Sequence, residues 1–313
     1  MIIISHTDAD GICAASLVVS ANPYSDIVLT QPRHLDEELE NVLIKGYGRL
    51  VICDLAIDYL IRNEVLNLLR QISREAEVIY IDHHQLIGIS KDDIAGNVLH
   101  EIDACTTEIA FKAFPNQKLE RLVVYGAVGD YMDDTKLVSE IVSRYDKRLI
   151  YMDACLLTQA LAYDAKDKKF RLELILRLSQ GEHPRDIEGV VDRAIKASKF
   201  EESVYEMVRE KLEEFNSSVF VEIPYEGYLG KAATFASGLT GKIAFAMRKE
   251  KNTFRVSARR PLNSDLNLGL LIQQVAKKVK GSGGGHAEAA GATIPTDKKD
   301  DFIREILSKT KKL

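Results

Sequence analysis

Four short apolar runs in the first 130 residues each stop at an acid or a histidine, and this pattern most restricts the folds open to the chain. Residues 1–4 lead into Ser5-His6-Thr7-Asp8-Ala9-Asp10-Gly11, and 50–53 lead into Asp54. Residues 78–81 lead into Asp82-His83-His84, and 122–128 into Gly129-Asp130. These runs and 27–29 are rich in β-branched residues and read as strands. Helix-period stretches alternate with them at 12–21, 58–76 and 106–114, the last opened by Thr106 or Thr107 as a helix cap. The order predicts an α/β fold, a parallel sheet with helices on both faces. The carboxyl ends of such strands share one edge, where open α/β sheets bind ligands, so groups far apart in sequence converge there.

At 313 residues the chain exceeds one ordinary core. The patterning predicts a metal-binding domain over 1–185, with 136–179 mostly helical, and a helical connector over 186–217. A smaller α/β domain follows over 218–313, with strands at 219–223, 232–234, 243–248 and 253–258. Helices are expected at 266–280 and 297–309, with a glycine-rich loop at 281–285 between them.

A chain 46% hydrophobic and 28% charged is ordinary for a globular protein, and no apolar run approaches the roughly 20 residues that span a bilayer. Residues 1–5 lack the basic flank and length of a secretory leader, so the chain is read as cytoplasmic, without membrane partners. A net charge of -5 argues against affinity from a broad basic surface and leaves a short or end-bound nucleic acid open. Cys13, Cys53, Cys105 and Cys155 form no Cys-x-x-Cys pair and are read as small buried hydrophobes.

His6, Asp8 and Asp10 alternate along an extended segment and so share one side, while Gly11 lets the chain turn into a helix. Five or more carboxylates in one pocket repel unless cations lie among them. Mixed carboxylate and imidazole donors suit Mn²⁺, with Mg²⁺ or Co²⁺ as substitutes. One carboxylate bridging two ions about 3.5 to 4 Å apart makes a centre that activates water against a phosphoryl group. Singly, Asp54 could be a helix cap and residues 82–84 a surface turn; four such endings on successive strands are not explained that way. His34, His100 and His183 lack such company and are read as structural or surface residues.

These residues resemble the DHH phosphoesterase family, named for the tripeptide that Asp82-His83-His84 matches. The likeness runs the length of the chain, and its compact size is similar to that of archaeal RecJ-like members. Residues 6–11 look like the family's opening motif, Asp54 like its second and Asp130 like its fourth; Asp133 and Asp134 are alternates in the same loop. The resemblance implies two Mn²⁺ ions held by His6, Asp8, Asp10, Asp54, His83 and Asp130, with Asp54 bridging. His84 is then expected to face the scissile phosphate, and Asp82 to orient a ligating histidine. RecJ itself has aspartate where this chain has His6, whereas nanoRNases have histidine, so the opening motif mixes two patterns.

Gly283-Gly284-Gly285-His286 is similar to the glycine-rich motif of the C-terminal domain in RecJ-type nucleases and nanoRNases. The glycines are expected to free successive backbone N–H groups for an anion, with His286 beside them. Of Arg259 and Arg260, Arg259 is favoured for a phosphate. Arg259, Gly284, Gly285 and His286 are thus the expected substrate contacts, and Lys277, Lys278 and Lys280 read as a solvated helix face.

The leading expectation is hydrolysis at the ends of single-stranded or short RNA or DNA by two metal ions, as in an exonuclease or nanoRNase. A phosphodiesterase for cyclic or linear dinucleotides, or an adenosine bisphosphate phosphatase, is the alternative; a non-enzymatic replication scaffold is a third reading. A homodimer and a replication or repair partner both stay open.

Overall fold

The β-branched runs of the first half form a parallel sheet, as the computed structural model shows over the residues it describes, 1–261 and 263–311. The chain divides into two units, Met1–Ala197 and Ser198–Leu313.

The first unit begins β1 (Ile2–Ser5), α1 (Ala9–Ala21), β2 (Asp26–Leu29), α2 (Leu35–Lys45), β3 (Arg49–Cys53), α3 (Arg62–Ile72), β4 (Glu77–Asp82) and β5 (Asn97–His100). The sheet order is β2-β1-β3-β4-β5, with every pairing parallel. Side-chain alternation divides the strands between two cores. Ile3, Val51, Cys53, Ile79 and Ile81 join α1 on one face. Ile2, Ile4, Leu50, Ile52, Val78 and Tyr80 join α2 and α3 on the other.

The rest of the unit is helical: α4 (Thr106–Ala113), α5 (Arg121–Gly129), α6 (Lys136–Val142), α7 (Lys147–Tyr163) and α8 (Lys168–Ser179). The run 122–128, expected as a strand, is α5. It is buried among α1, α4 and α7, so its apolar residues satisfy a helix surrounded by protein as readily as a central strand. The fifth strand is β5, a half-exposed edge segment that carries no apolar run.

Helix α9 (Val190–Lys211) contains the division between the units. Val190 and Ala194 belong to the core of the first unit, Val204 and Val208 to a core of the second. The second unit continues with β6 (Glu213–Glu214), β7 (Ser218–Glu222), α10 (Leu229–Thr240), β8 (Ile243–Lys249), β9 (Thr253–Arg259), α11 (Leu268–Lys278), β10 (Ser282–Gly285), β11 (Ala289–Pro295) and α12 (Lys299–Thr310). Its mixed sheet has the order β10-β11-β9-β8-β7-β6, with only β7 and β8 parallel.

Residues 232–234, expected as a strand, lie in α10, and the glycine run 281–285, expected as a loop, supplies edge strand β10. Cys155 is exposed while Cys13, Cys53 and Cys105 are buried, so the buried reading fails for one thiol. Among the described residues no helix is long and apolar enough to cross a membrane.

Candidate metal centre

The sheet order places β1 beside β3, with α1 leaving to one face and α3 to the other. This is the switch point of the sheet, and a crevice opens at the carboxyl ends of its two central strands. His6, Asp8 and Asp10 follow β1, Asp54 follows β3, and Asp82, His83 and His84 end β4. Asp130 comes instead from the carboxyl end of helix α5, where it is the C-cap residue.

The structure brings all eight of these residues to one place. His6 Nδ1 lies 2.7 Å from Asp8 Oδ2 and 3.4 Å from Asp54 Oδ2. His83 Nε2 lies 3.1 Å from Asp130 Oδ2 and 3.6 Å from Asp54 Oδ1, and His84 Nδ1 lies 3.9 Å from that same oxygen. Three donor groups have ligand atoms within 4.8 Å of one another: His6, Asp8 and Asp54; Asp10, Asp54, His83 and Asp130; and Asp54, His83 and His84. Asp54 belongs to all three. Its backbone is held at φ 60°, a left-handed conformation uncommon outside glycine and best tolerated by Asn and Asp.

Protein groups hold these side chains in turn. Asp8 caps α1 by accepting from Gly11 N at 3.0 Å. Fully buried Asp10 accepts from Thr106 N at 2.6 Å, Thr107 N at 2.8 Å and Thr107 Oγ1 at 2.6 Å. It thereby takes the place of a side-chain cap on α4, whose own cap residue, Cys105, supplies none. Thr106 Oγ1 donates to Asp54 at 3.1 Å. Gly126 makes room for this join, because a Cβ there would lie 2.2 Å from Thr107 Oγ1 and 2.8 Å from Asp10 Oδ1.

On the histidine side, His84 donates through Nδ1 to Asp82 at 2.8 Å, while His100 Nε2 donates to the His84 carbonyl at 2.6 Å. Gln31 accepts from His6 Nε2 at 3.3 Å and donates to Thr7 Oγ1 at 2.7 Å, and Arg171 donates to the Thr7 carbonyl at 2.9 Å. Asp133 instead accepts from Tyr151 at 2.8 Å, and no donor group among the described residues includes Asp133 or Asp134.

The electrostatics show a site short of positive charge. Burial, then the charges of Asp8 and Asp10, push the Asp54 carboxyl well above its usual range, and burial raises Asp130 to about 6. Burial alone would lower His83, but the hydrogen bond to Asp130 and the surrounding acids carry it up to about 9. His6 likewise overcomes burial through Asp8 and Asp54 and is raised well above its ordinary value. For Asp8 burial acts upward, yet the charge of His6 holds it well below the usual carboxylate range. In this protein protons would occupy the places of cations. Asp54 Oδ2 and His6 Nδ1 are buried, face each other, and make no aligned hydrogen bond. Orphaned oxygen and imidazole donors without a thiolate fit hard or borderline divalent ions such as Mn²⁺ or Mg²⁺.

Two family models match the chain: the DHH family N-terminal domain over residues 1–130 and the DHHA1 domain over residues 226–312. The chain thus carries a DHH-family N-terminal domain and a DHHA1 domain. An uncharacterized protein of Methanocaldococcus jannaschii is 27% identical over 96% of this chain and 88% of its own length. RecJ from Thermus thermophilus, solved in complex with Mn²⁺, matches with a TM-score of 0.69 at 16% identity, over 100% of this chain and 52% of RecJ. A pGpG-specific phosphodiesterase from Vibrio matches with a TM-score of 0.60 at 13% identity, over 99% of this chain and 98% of that enzyme. At these identities the likeness to the two solved structures is one of fold.

In the DHHA1 unit, His286 N donates to the carbonyl of Ala289, which stands opposite Arg259 in the β9–β11 register. Arg259 and His286 therefore lie at the same end of this ladder. Gly283, Gly284 and Gly285 do not offer three successive free amides as expected. They pair antiparallel with β11, where alternate N–H groups turn toward the partner. Arg260 is tied to the following turn, donating to the Ala287 carbonyl at 3.1 Å and to Glu288 at 3.0 Å.

Thr106 and Thr107, expected as the cap, are instead the first two residues of α4 after its cap residue Cys105, and their partnership with Asp10 spans 96 and 97 residues and leaves no local trace. Gln31, His100 and Arg171 carry no sequence signal at all; only the fold brings them to the site.

Proposed function

We propose that this DHH-family chain is a Mn²⁺-dependent phosphodiesterase that hydrolyses the ends of single-stranded or short oligonucleotides. The observation that supports this most is a single buried carboxylate, Asp54, common to all three donor groups at the switch point of the sheet. His6, Asp8 and Asp54 would hold one ion, and Asp10, Asp54, His83 and Asp130 the other. A bound pair of divalent ions supplies an acidified water and charge neutralisation at a phosphoryl group.

The remaining residues orient and bind. His84 is a quarter exposed, at 26%, whereas Asp54 and Asp82 are buried. It is the histidine of the pair that a substrate phosphate reaches, and Asp82 sets its ring through Nδ1. Burial would raise the Asp82 carboxyl, but His84 holds it below its ordinary value, so Asp82 remains an acceptor. Arg259 and His286, with Gly284 and Gly285 beside them, are assigned to a neighbouring phosphate of the substrate.

A dinucleotide phosphodiesterase is the second reading, favoured by the match over nearly the full length of the pGpG-specific enzyme. Digestion of end-labelled RNA and DNA from two to twenty nucleotides with Mn²⁺, Mg²⁺ or Co²⁺ separates the two. Mononucleotide release from every length supports the oligonucleotide reading, and cleavage confined to two-nucleotide substrates supports the second. No hydrolysis with any of the metals overturns both.

A further inference from the structure

Helix α5 ends in a left-handed cap. Tyr131 N donates to the Val128 carbonyl at 3.4 Å and Met132 N to the Ala127 carbonyl at 2.8 Å, with Tyr131 itself at φ 57°. Helix α8 closes with the same pair of bonds, from Gly181 N to Leu178 at 3.0 Å and from Glu182 N to Arg177 at 3.2 Å, and there the left-handed residue is Gly181 at φ 87°. Glycine is the ordinary occupant, because a Cβ strains this backbone. Helix α11 places Lys280 at the same point, at φ 61°, where a cation suits the carboxyl end of a helix. Tyr131 brings neither advantage.

Packing of the ring does not offset this cost either. Tyr131 is 78% exposed, although a bulky residue with positive φ is an outlier that something must sustain. The residues around it are held in place: Asp130 N donates to the Gly126 carbonyl at 3.2 Å, Met132 packs against the core of the first unit, and Asp133 accepts from Tyr151 at 2.8 Å. The segment therefore keeps one exposed tyrosine in a strained conformation, one residue from Asp130, a proposed metal ligand. Strain of this kind gathers where a ligand is bound.

We propose that Tyr131 is the stacking platform for the nucleobase of the terminal nucleotide whose phosphate lies at the metal centre. The inference rests on the phosphodiesterase reading and narrows its substrate to phosphodiesters that carry a base at the cleaved end. The Cα atoms of successive residues are about 3.8 Å apart, so a side chain rooted beside Asp130 stands within a sugar's breadth of a phosphate held there. Every base presents a π-face, which makes such a contact tolerant of sequence. The platform thus recognises a nucleotide end without selecting which base it bears.

The test is binding of trinucleotides, with Ca²⁺ in place of Mn²⁺, to the full chain and to Tyr131→Gly and Tyr131→Trp. One set carries 2-aminopurine, a fluorescent base quenched by stacking, at the 5′ or the 3′ end; a second set carries an abasic sugar in its place. The wild type should quench one of the two ends. Tyr131→Gly should lose that quenching and bind the base-bearing strand about 5- to 100-fold more weakly, the effect of losing one base–aromatic stack, yet bind the abasic strand as the wild type does. Tyr131→Trp should keep both quenching and affinity. The unfolding midpoint of Tyr131→Gly should hold or rise, because glycine suits the cap; a fall would mark a structural role and overturn the proposal. Unchanged quenching, or equal losses on base-bearing and abasic strands, also overturn it. If end-labelled oligonucleotides are hydrolysed while Tyr131→Gly matches the wild type on both probes, the platform fails and the phosphodiesterase reading stands. No binding and no hydrolysis by the wild type overturns that reading, and the platform with it.

Discussion

Asp10 serves as the cap of a helix that begins 96 residues later, accepting the backbone N–H of Thr106 at 2.6 Å inside the buried floor of the site. The amides at that helix end lend partial positive charge to a carboxylate that would otherwise be surrounded by acids. The helix is thereby anchored by the proposed ligand.

Replacing Thr107 by Val removes the hydroxyl that donates to Asp10 at 2.6 Å while keeping the side chain's shape. Stability should fall by about 1 to 3 kcal/mol, the cost of an unmet buried partner, and Mn²⁺ affinity by about 10- to 100-fold, the usual effect of losing an orienting contact. Thermal unfolding and metal titration read the two effects, and Thr107→Ser should restore most of both. Unchanged metal affinity in Thr107→Val would sever the link between the helix cap and the ligand set.

Asp54→Asn and Asp130→Asn should each abolish Mn²⁺-dependent hydrolysis without unfolding the protein. Asn accepts the left-handed backbone of position 54, yet an amide cannot supply the charge of a bridging carboxylate. Retention of more than about a tenth of the rate by both variants, a barrier change under ~1.4 kcal/mol, argues against the two-ion assignment. Metal analysis of Asp54→Asn should show loss from both donor groups.

The paired histidines should separate in their effects. His83→Ala is expected to lower bound metal, whereas His84→Ala should keep metal and lose rate on phosphodiesters. Equal metal loss in both variants would merge the two roles.

The metal-free protein should lose stability as pH rises. Folded Asp130 holds its proton to about 6 against an ordinary 3.8, and folded His83 to about 9 against 6.5. In both windows the folded state binds more protons than the unfolded one, so stability falls with pH through 3.8 to 6 and 6.5 to 9. Asp54 and His6 are raised too and add the same sign. Asp8 and Asp82 are lowered, and their contribution is already complete above 3.8. Unfolding midpoints in EDTA should therefore decline toward alkaline pH, and Mn²⁺ should flatten or reverse the trend. A midpoint that rises with pH in EDTA contradicts these assignments.

Much of the candidate site is readable because groups able to hold a metal recur at strand ends, and strand ends are written as apolar runs. His6, Asp54 and His83 are found that way. Asp130 was found too, but on the wrong element: Leu122-Val123-Val124-Tyr125 has strand composition, yet helix α5 is enclosed by other helices, and enclosure erases the polar face that would reveal its period. Gly126, the residue that lets α5 approach Asp10, lies inside the run 122–128 that reads as a strand. Strand β5 leaves little mark in the sequence, because a four-residue edge segment buries too little to need an apolar run. The glycine run 281–285 reads as a loop because β-propensity counts side chains, whereas pairing with β11 alone sets strand β10 there.

The double duty of Asp10 gives the decay of such a site an order. Asp8 is 43% exposed and its structural task is to cap α1, which Ser or Asn performs as well. A descendant released from catalysis could therefore drift at position 8 while keeping its fold. Position 10 has no such latitude: Ala would strand the amides of Thr106 and Thr107, and Asn would turn a donor toward one of them. A silent relative of this protein should thus still carry the aspartate at position 10, a fossil of chemistry it no longer performs.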